Sequence, residues 1–70
     1  MKCEPLPATL KVGDKIVQTK YTPHERLEVF KIDAVDRDRV WLMYENGNAL
    51  TGSLSMQLLK AYDYQLITEE

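Results

Sequence analysis

Residues 39–54 read RVWLMYENGNALTGSL, and this stretch decides the fold. Val40, Leu42 and Tyr44 alternate with Trp41, Met43 and Glu45, which is the two-residue period of a strand, and Asn46-Gly47 supplies turn chemistry before Leu50 and Leu54. Two registers compete. A two-residue turn at Asn46-Gly47 pairs Met43 with Leu50 and Leu42 with Thr51, mixing apolar and polar residues on both faces. A three-residue loop, Glu45-Asn46-Gly47, is a type I turn with Gly47 left-handed in a bulge; it pairs Tyr44 with Asn48, Leu42 with Leu50 and Val40 with Gly52. A one-residue slip moves every side chain to the other face, and only the second register gives one coherent apolar face. The stretch is therefore expected to be a hairpin in the second register.

The totals bound what can be built around it. Seventy residues make one domain, near the lower limit for a self-sufficient core. With 44% hydrophobic and 29% charged residues, the composition is that of a folded globular chain. The single Cys3 cannot form an internal disulfide, so self-association gains weight as a source of stability. A net charge of -2 gives no whole-chain attraction to nucleic acid or anionic membrane. The apolar runs are too short for a membrane span and the N-terminus lacks the apolar core of a signal peptide, so a cytoplasmic protein with no membrane partner is expected.

Upstream of the hairpin, residues 1–10 (MKCEPLPATL) carry Pro5 and Pro7, which remove backbone donors, and they read as an extended arm. Gly13-Asp14 turns the chain into a first strand from about Lys15 to Tyr21. Thr22-Pro23-His24-Glu25-Arg26 is an exposed loop. From Leu27 to Val35, Phe30, Ile32 and Ala34 share one face of a second strand, and Asp36-Arg37-Asp38-Arg39 is a tight charged connector into the hairpin. Downstream, Ser55 caps a short helix over Met56 to Tyr62. In it Met56, Leu59 and Lys60, or Leu58 and Tyr62, have three- and four-residue spacing. Tyr64 to Thr68 is a last strand.

Five antiparallel strands with one helical turn before the last close most simply into a small barrel, which removes exposed edges. Through Val12-Gly13-Asp14-Lys15-Ile16, the hairpin Val40-Trp41-Leu42-Met43-Tyr44-Glu45-Asn46-Gly47, and Met56-Gln57-Leu58-Leu59, the chain resembles the SH3-like small barrels, among them Tudor, chromo-barrel and KOW-type modules. The resemblance implies a mainly β domain over residues 11–70 behind the arm 1–10. The likeness is one of architecture and carries no function; an interaction or regulatory module is expected from the small size, the missing catalytic constellation and the Trp41–Met43 pair, and by analogy small barrels of this kind are common as accessory proteins of phages and mobile elements.

No catalytic constellation stands out. His24 and Cys3 are the lone members of their kinds, too few for a structural zinc site and not oriented by a neighbour for acid–base or nucleophilic work. Asp33, Asp36 and Asp38 interleave with Lys31, Arg37 and Arg39, which is the pattern of a salt-bridged turn and lacks the fixed ligand spacing of a calcium loop. Gly13, Gly47 and Gly52 are isolated and have backbone roles of turn, bulge and curvature. Tyr21, Tyr62 and Tyr64 read as borders of the core. No enzyme activity, cofactor or metal is expected.

Trp41 and Met43 are the informative pair, since the preferred register points them away from the core, with Arg39 and Thr51 beside them. Three readings follow: cover by the arm through Leu6 and Leu10 or by the helical turn; an interface to another protein or a second copy, through Trp41, Met43, Arg39 and Thr51; or a base-stacking platform, with Lys31, Arg37 and Arg39 on phosphates and Trp41 and Tyr44 on nucleic-acid bases. The preferred function is a non-enzymatic, self-associating protein-interaction module. The nucleic-acid barrel is the alternative.

Overall fold

The computed structural model describes residues 2–18, 27–50 and 52–69. Six strands and one short helix follow in the order β1 (Lys2–Pro5), β2 (Lys15–Gln18), β3 (Val29–Asp36), β4 (Arg39–Tyr44), β5 (Leu54–Ser55), α1 (Met56–Ala61) and β6 (Tyr64–Glu69). They form one antiparallel sheet in the order β1-β6-β2-β3-β4-β5. Strands β2 to β5 are a meander, and β6 returns across it to lie beside β2.

Two expectations need correction. The arm contributes a sixth strand: β1 pairs with β6, setting Cys3 opposite Ile67 and Pro5 opposite Gln65. Proline is tolerated there because β1 lies at the sheet edge, where one row of backbone groups has no ladder to join. The sheet is also open, since among the described residues no ladder joins β5 to β1, whereas a five-stranded closed barrel was expected.

The hairpin register is as expected near the turn and departs from it beyond. Gly47 N–H donates to Tyr44 O (2.9 Å), Tyr44 N–H to Asn48 O (2.8 Å) and Leu50 N–H to Leu42 O (3.1 Å). Gly47 is left-handed at φ +97°, the geometry of a type I turn closed by a bulge, and Asn48 N–H donates to Asn46 Oδ1 at 3.0 Å. Farther on, Val40 faces Leu54 rather than Gly52. The chain leaves the ladder around Gly52, itself left-handed at φ +79°, and rejoins two residues out of step. The slip is an even number, so Leu54 stays on the apolar face and Val40 keeps an apolar partner.

That face carries the core. Leu10, Ile16, Ile32, Val40, Leu42, Met56 and Leu59 are buried together, with Leu6, Phe30, Val35, Leu50, Leu54, Tyr64 and Leu66 packed around them. A bulge in β3 between Ile32 and Ala34 lets Phe30, Ile32 and Val35 all point inward, and Ala34 shares the outer face with Trp41. Val17, on the face of β2 opposite Ile16, is also fully buried and lies outside that cluster, so β2 is covered on both sides.

Helix α1 begins where the sequence places it. The Ser55 hydroxyl accepts from Leu58 N–H at 3.0 Å, and Met56 N–H is satisfied by Asp38 O at 2.7 Å, which ties the helix start to the β3–β4 turn. The helix closes on Tyr62, followed by Asp63 in the left-handed region at φ +60°. No helix among the described residues is long and apolar enough to cross a membrane.

Candidate interaction surface

The residues singled out in the sequence divide between the two faces of β4. Trp41 and Met43 are half-buried on the outer face, opposite Ala34 and Lys31 of β3. The arm does not run to them: Leu10 sits in the core on the other face, and Leu6 packs against that core. Arg39 is engaged within the fold, donating from Nε to Ser53 Oγ and from Nη2 to Ser53 O, both at 2.8 Å. This fork holds the off-ladder segment before β5 and gives Arg39 a structural task. Thr51, Tyr21 and His24 lie outside the described residues.

The residues named for nucleic acid do not form one platform. Tyr44 pairs with Phe30 on the inner face, its ring centroid 5.2 Å away at a 41° tilt, and Phe30 in turn lies 6.4 Å from Tyr64. The three rings form a chain of tilted contacts along the border of the core, a favoured arrangement for aromatic pairs. Lys31 is exposed on the outer face of β3, and Arg37 is exposed in the β3–β4 turn. Among the described residues, no three His, Cys, Asp or Glu side chains are placed to hold a metal ion.

The structure brings forward a surface that the sequence did not single out. Of the two spacings on α1, Met56 and Leu59 take the core, so Leu58 and Tyr62, one turn apart, remain outside at 39% and 53% exposure. They flank a groove of about 280 Å³, lined also by Gln18, Leu54, Leu59 and Tyr64. Gln18 Nε2 donates to Tyr62 O at 2.7 Å, joining the end of β2 to the helix C-terminus and fixing the width of the groove. Burial raises the pKa of the Tyr64 hydroxyl above that of a free tyrosine, which reinforces the neutral, hydrogen-bond-donating form.

Leu54 links this groove to a second, smaller slot of about 170 Å³ lined by Leu42, Leu50 and Gly52, where the chain has left the ladder. Ligand sites for small molecules and cofactors run from roughly 300 to 1,000 Å³, so neither space holds more than one or two side chains. The Leu58–Tyr62 pair was legible as an i, i+4 spacing; which of the two helix faces was core was not.

No protein-family model matches the chain, and no curated protein or solved structure matches it significantly. The functional reading therefore rests on the geometry above.

Proposed function

We propose that the chain is a non-enzymatic protein-interaction module, with the strand order of an SH3-like small barrel on an open sheet, which receives apolar side chains of another protein chain, a second copy included, in the groove beside α1. The observation that carries this reading is the exposure of Leu58 and Tyr62 at the rim of an apolar groove whose floor, Leu59, is fully buried. Exposed apolar patches with polar surroundings are characteristic of protein contact sites. Here Gln57, Lys60 and Ala61 complete the exposed surface of the helix. The meander β2–β5, with β6 returning beside β2 after α1, supports the likeness in strand order, although the sheet is open. The same reading places the protein in the cytoplasm, where the unpaired Cys3 stays reduced.

Selection of a random peptide display library on the immobilised domain tests the proposal. Peptides with recurring apolar residues are expected, and Leu58→Asp should weaken them at least tenfold, a loss of about 1.4 kcal/mol. Leu58 is exposed on the helix, so the variant should remain folded. Absence of enrichment, or peptides indifferent to Leu58→Asp, would overturn the reading. Trp41→Ala serves as the companion: loss of binding there, with Leu58→Asp silent, would move the interface to the outer face of β4.

A further inference from the structure

Strand β1 is the most exposed strand of the sheet: three of its four residues are exposed and only Cys3 is half-covered. Its hold consists of the ladder to β6, an exposed Lys2–Glu69 ion pair at 3.5 Å and a long Thr68 Oγ1–Lys2 O hydrogen bond of 3.4 Å. The ladder itself is irregular between Lys2 and Cys3. The chain is first locked into the core at Leu10, 3% exposed, with Leu6 packed against the core's margin.

We infer that β1 is an exchangeable strand, and that the outer edge of β6 accepts the β1 segment of a second copy of this chain, giving a reciprocally strand-swapped dimer. Exchange replaces each hydrogen bond and ion pair by its equivalent, so it needs no new interface chemistry, only a hinge. The hinge is residues 6–9, which span about 13 Å when extended, so the two copies must sit closely side by side. Pro7 within the hinge, and Pro5 just before it, fix φ and bias the segment toward extended conformations, which suit a strand reaching to a neighbouring copy.

A vacated β6 edge is a strand template flanked by the half-buried Leu66 and Ile67, and an unpaired edge of that kind recruits another strand. The assembly stops at two because β1 carries Lys2, Glu4 and Pro5, an edge unsuited to further pairing. The contact is separate from the groove beside α1.

Cys3 and Ile67 are directly opposed, so the Ile67→Cys variant reports which chain supplies β1. After warming and slow cooling at a concentration near the ~1 mM effective concentration of a short tether, a dimer fraction is expected to separate by size exclusion. On mild oxidation that fraction should give an interchain disulfide and the monomer fraction an intrachain one. Deletion of residues 1–5 should remove the dimer, whereas Leu58→Asp should leave it, which separates this contact from the groove. A protein that stays monomeric throughout, a dimer whose 3–67 bond is intrachain, or a dimer that survives the deletion or is lost with Leu58→Asp would overturn the inference.

Discussion

The two ends of the sheet are built on opposite principles. At the β4–β5 end only two residue pairs make the ladder, yet one of them sets a fully buried Val40 against Leu54, and α1 follows at once to seal the edge with Met56 and Leu59. At the β6–β1 end the ladder is twice as long in residue pairs and buries no residue of β1. Pairing and burial are therefore separable. Backbone hydrogen bonds largely exchange water for protein and contribute modestly in net terms, whereas removing apolar surface from water carries the larger free energy. The short end should be the firm one.

Substitutions along the sheet test this contrast. The largest effect belongs to the core behind β3 and β4: Ile32→Ala, at a position 1% exposed, should cost about 2–5 kcal/mol. A single core in a chain of this size rarely supplies more than about 3–5 kcal/mol, so the variant should be substantially unfolded by circular dichroism at 37 °C. A cooperative urea transition within 1 kcal/mol of wild type would show that the inner face is not the core assigned here.

Next comes the seal at the short end. Ser55→Ala removes the acceptor for Leu58 N–H, and a loss of about 1 kcal/mol is expected in urea titration. No loss would mean that β5, and not the cap, sets the start of α1.

The β3–β4 turn offers a gain of similar or smaller size. Arg37 is exposed with φ +57°, a conformation costing a side-chain-bearing residue about 1–2 kcal/mol, against roughly 0.5–1 kcal/mol of extra entropy lost by glycine on folding. Arg37→Gly should raise stability by about 0.5–1 kcal/mol on that balance, seen as a higher urea midpoint.

At the long end the effects should be smallest. Lys2→Ala should be barely measurable, because both partners of its ion pair are exposed. Hydrogen exchange gives the sharper reading: β1 amides should exchange far faster than those of Ile16 and Leu42, by opening locally. Equal protection would make β1 part of the cooperative unit and erase the contrast between the ends.

Much of this arrangement was legible in the residues, and the misses have physical reasons. Gly47 after Asn46 specified the turn and the near register because a left-handed residue is needed at one position only. The same alternation identified β3 and β4, and Ser55 marked the helix, but the bulge in β3 puts Val35 and not Ala34 inward with Phe30 and Ile32, which a strict two-residue period cannot show. Gly52 misled: read as curvature within a continuous ladder, it marks the place where the ladder is abandoned, and periodicity alone cannot see an even-numbered slip. Pro5 and Pro7 argued against a helix or an inner strand, which holds, and the extended arm they implied pairs as an edge strand.

At the candidate surface, Trp41 drew attention because the register points it away from the core, yet it is half-buried, and Arg39 beside it is spent on Ser53. Leu58 and Tyr62 stayed in the background because a six-residue helix offers too few turns for its apolar face to be read from spacing.

The position of β6 also sets a timetable. It is the last of the six strands to be synthesised, and it lies between the first two, contacting β2 on one side and β1 on the other. The β3–β4 hairpin, joined by two residues, can form as soon as it leaves the ribosome. Strands β1 and β2, by contrast, wait through some fifty further residues for their common neighbour, with one edge of β2 unpaired meanwhile. Vulnerability of the nascent chain is thus concentrated at its N-terminal quarter and ends only when Tyr64–Glu69 arrives.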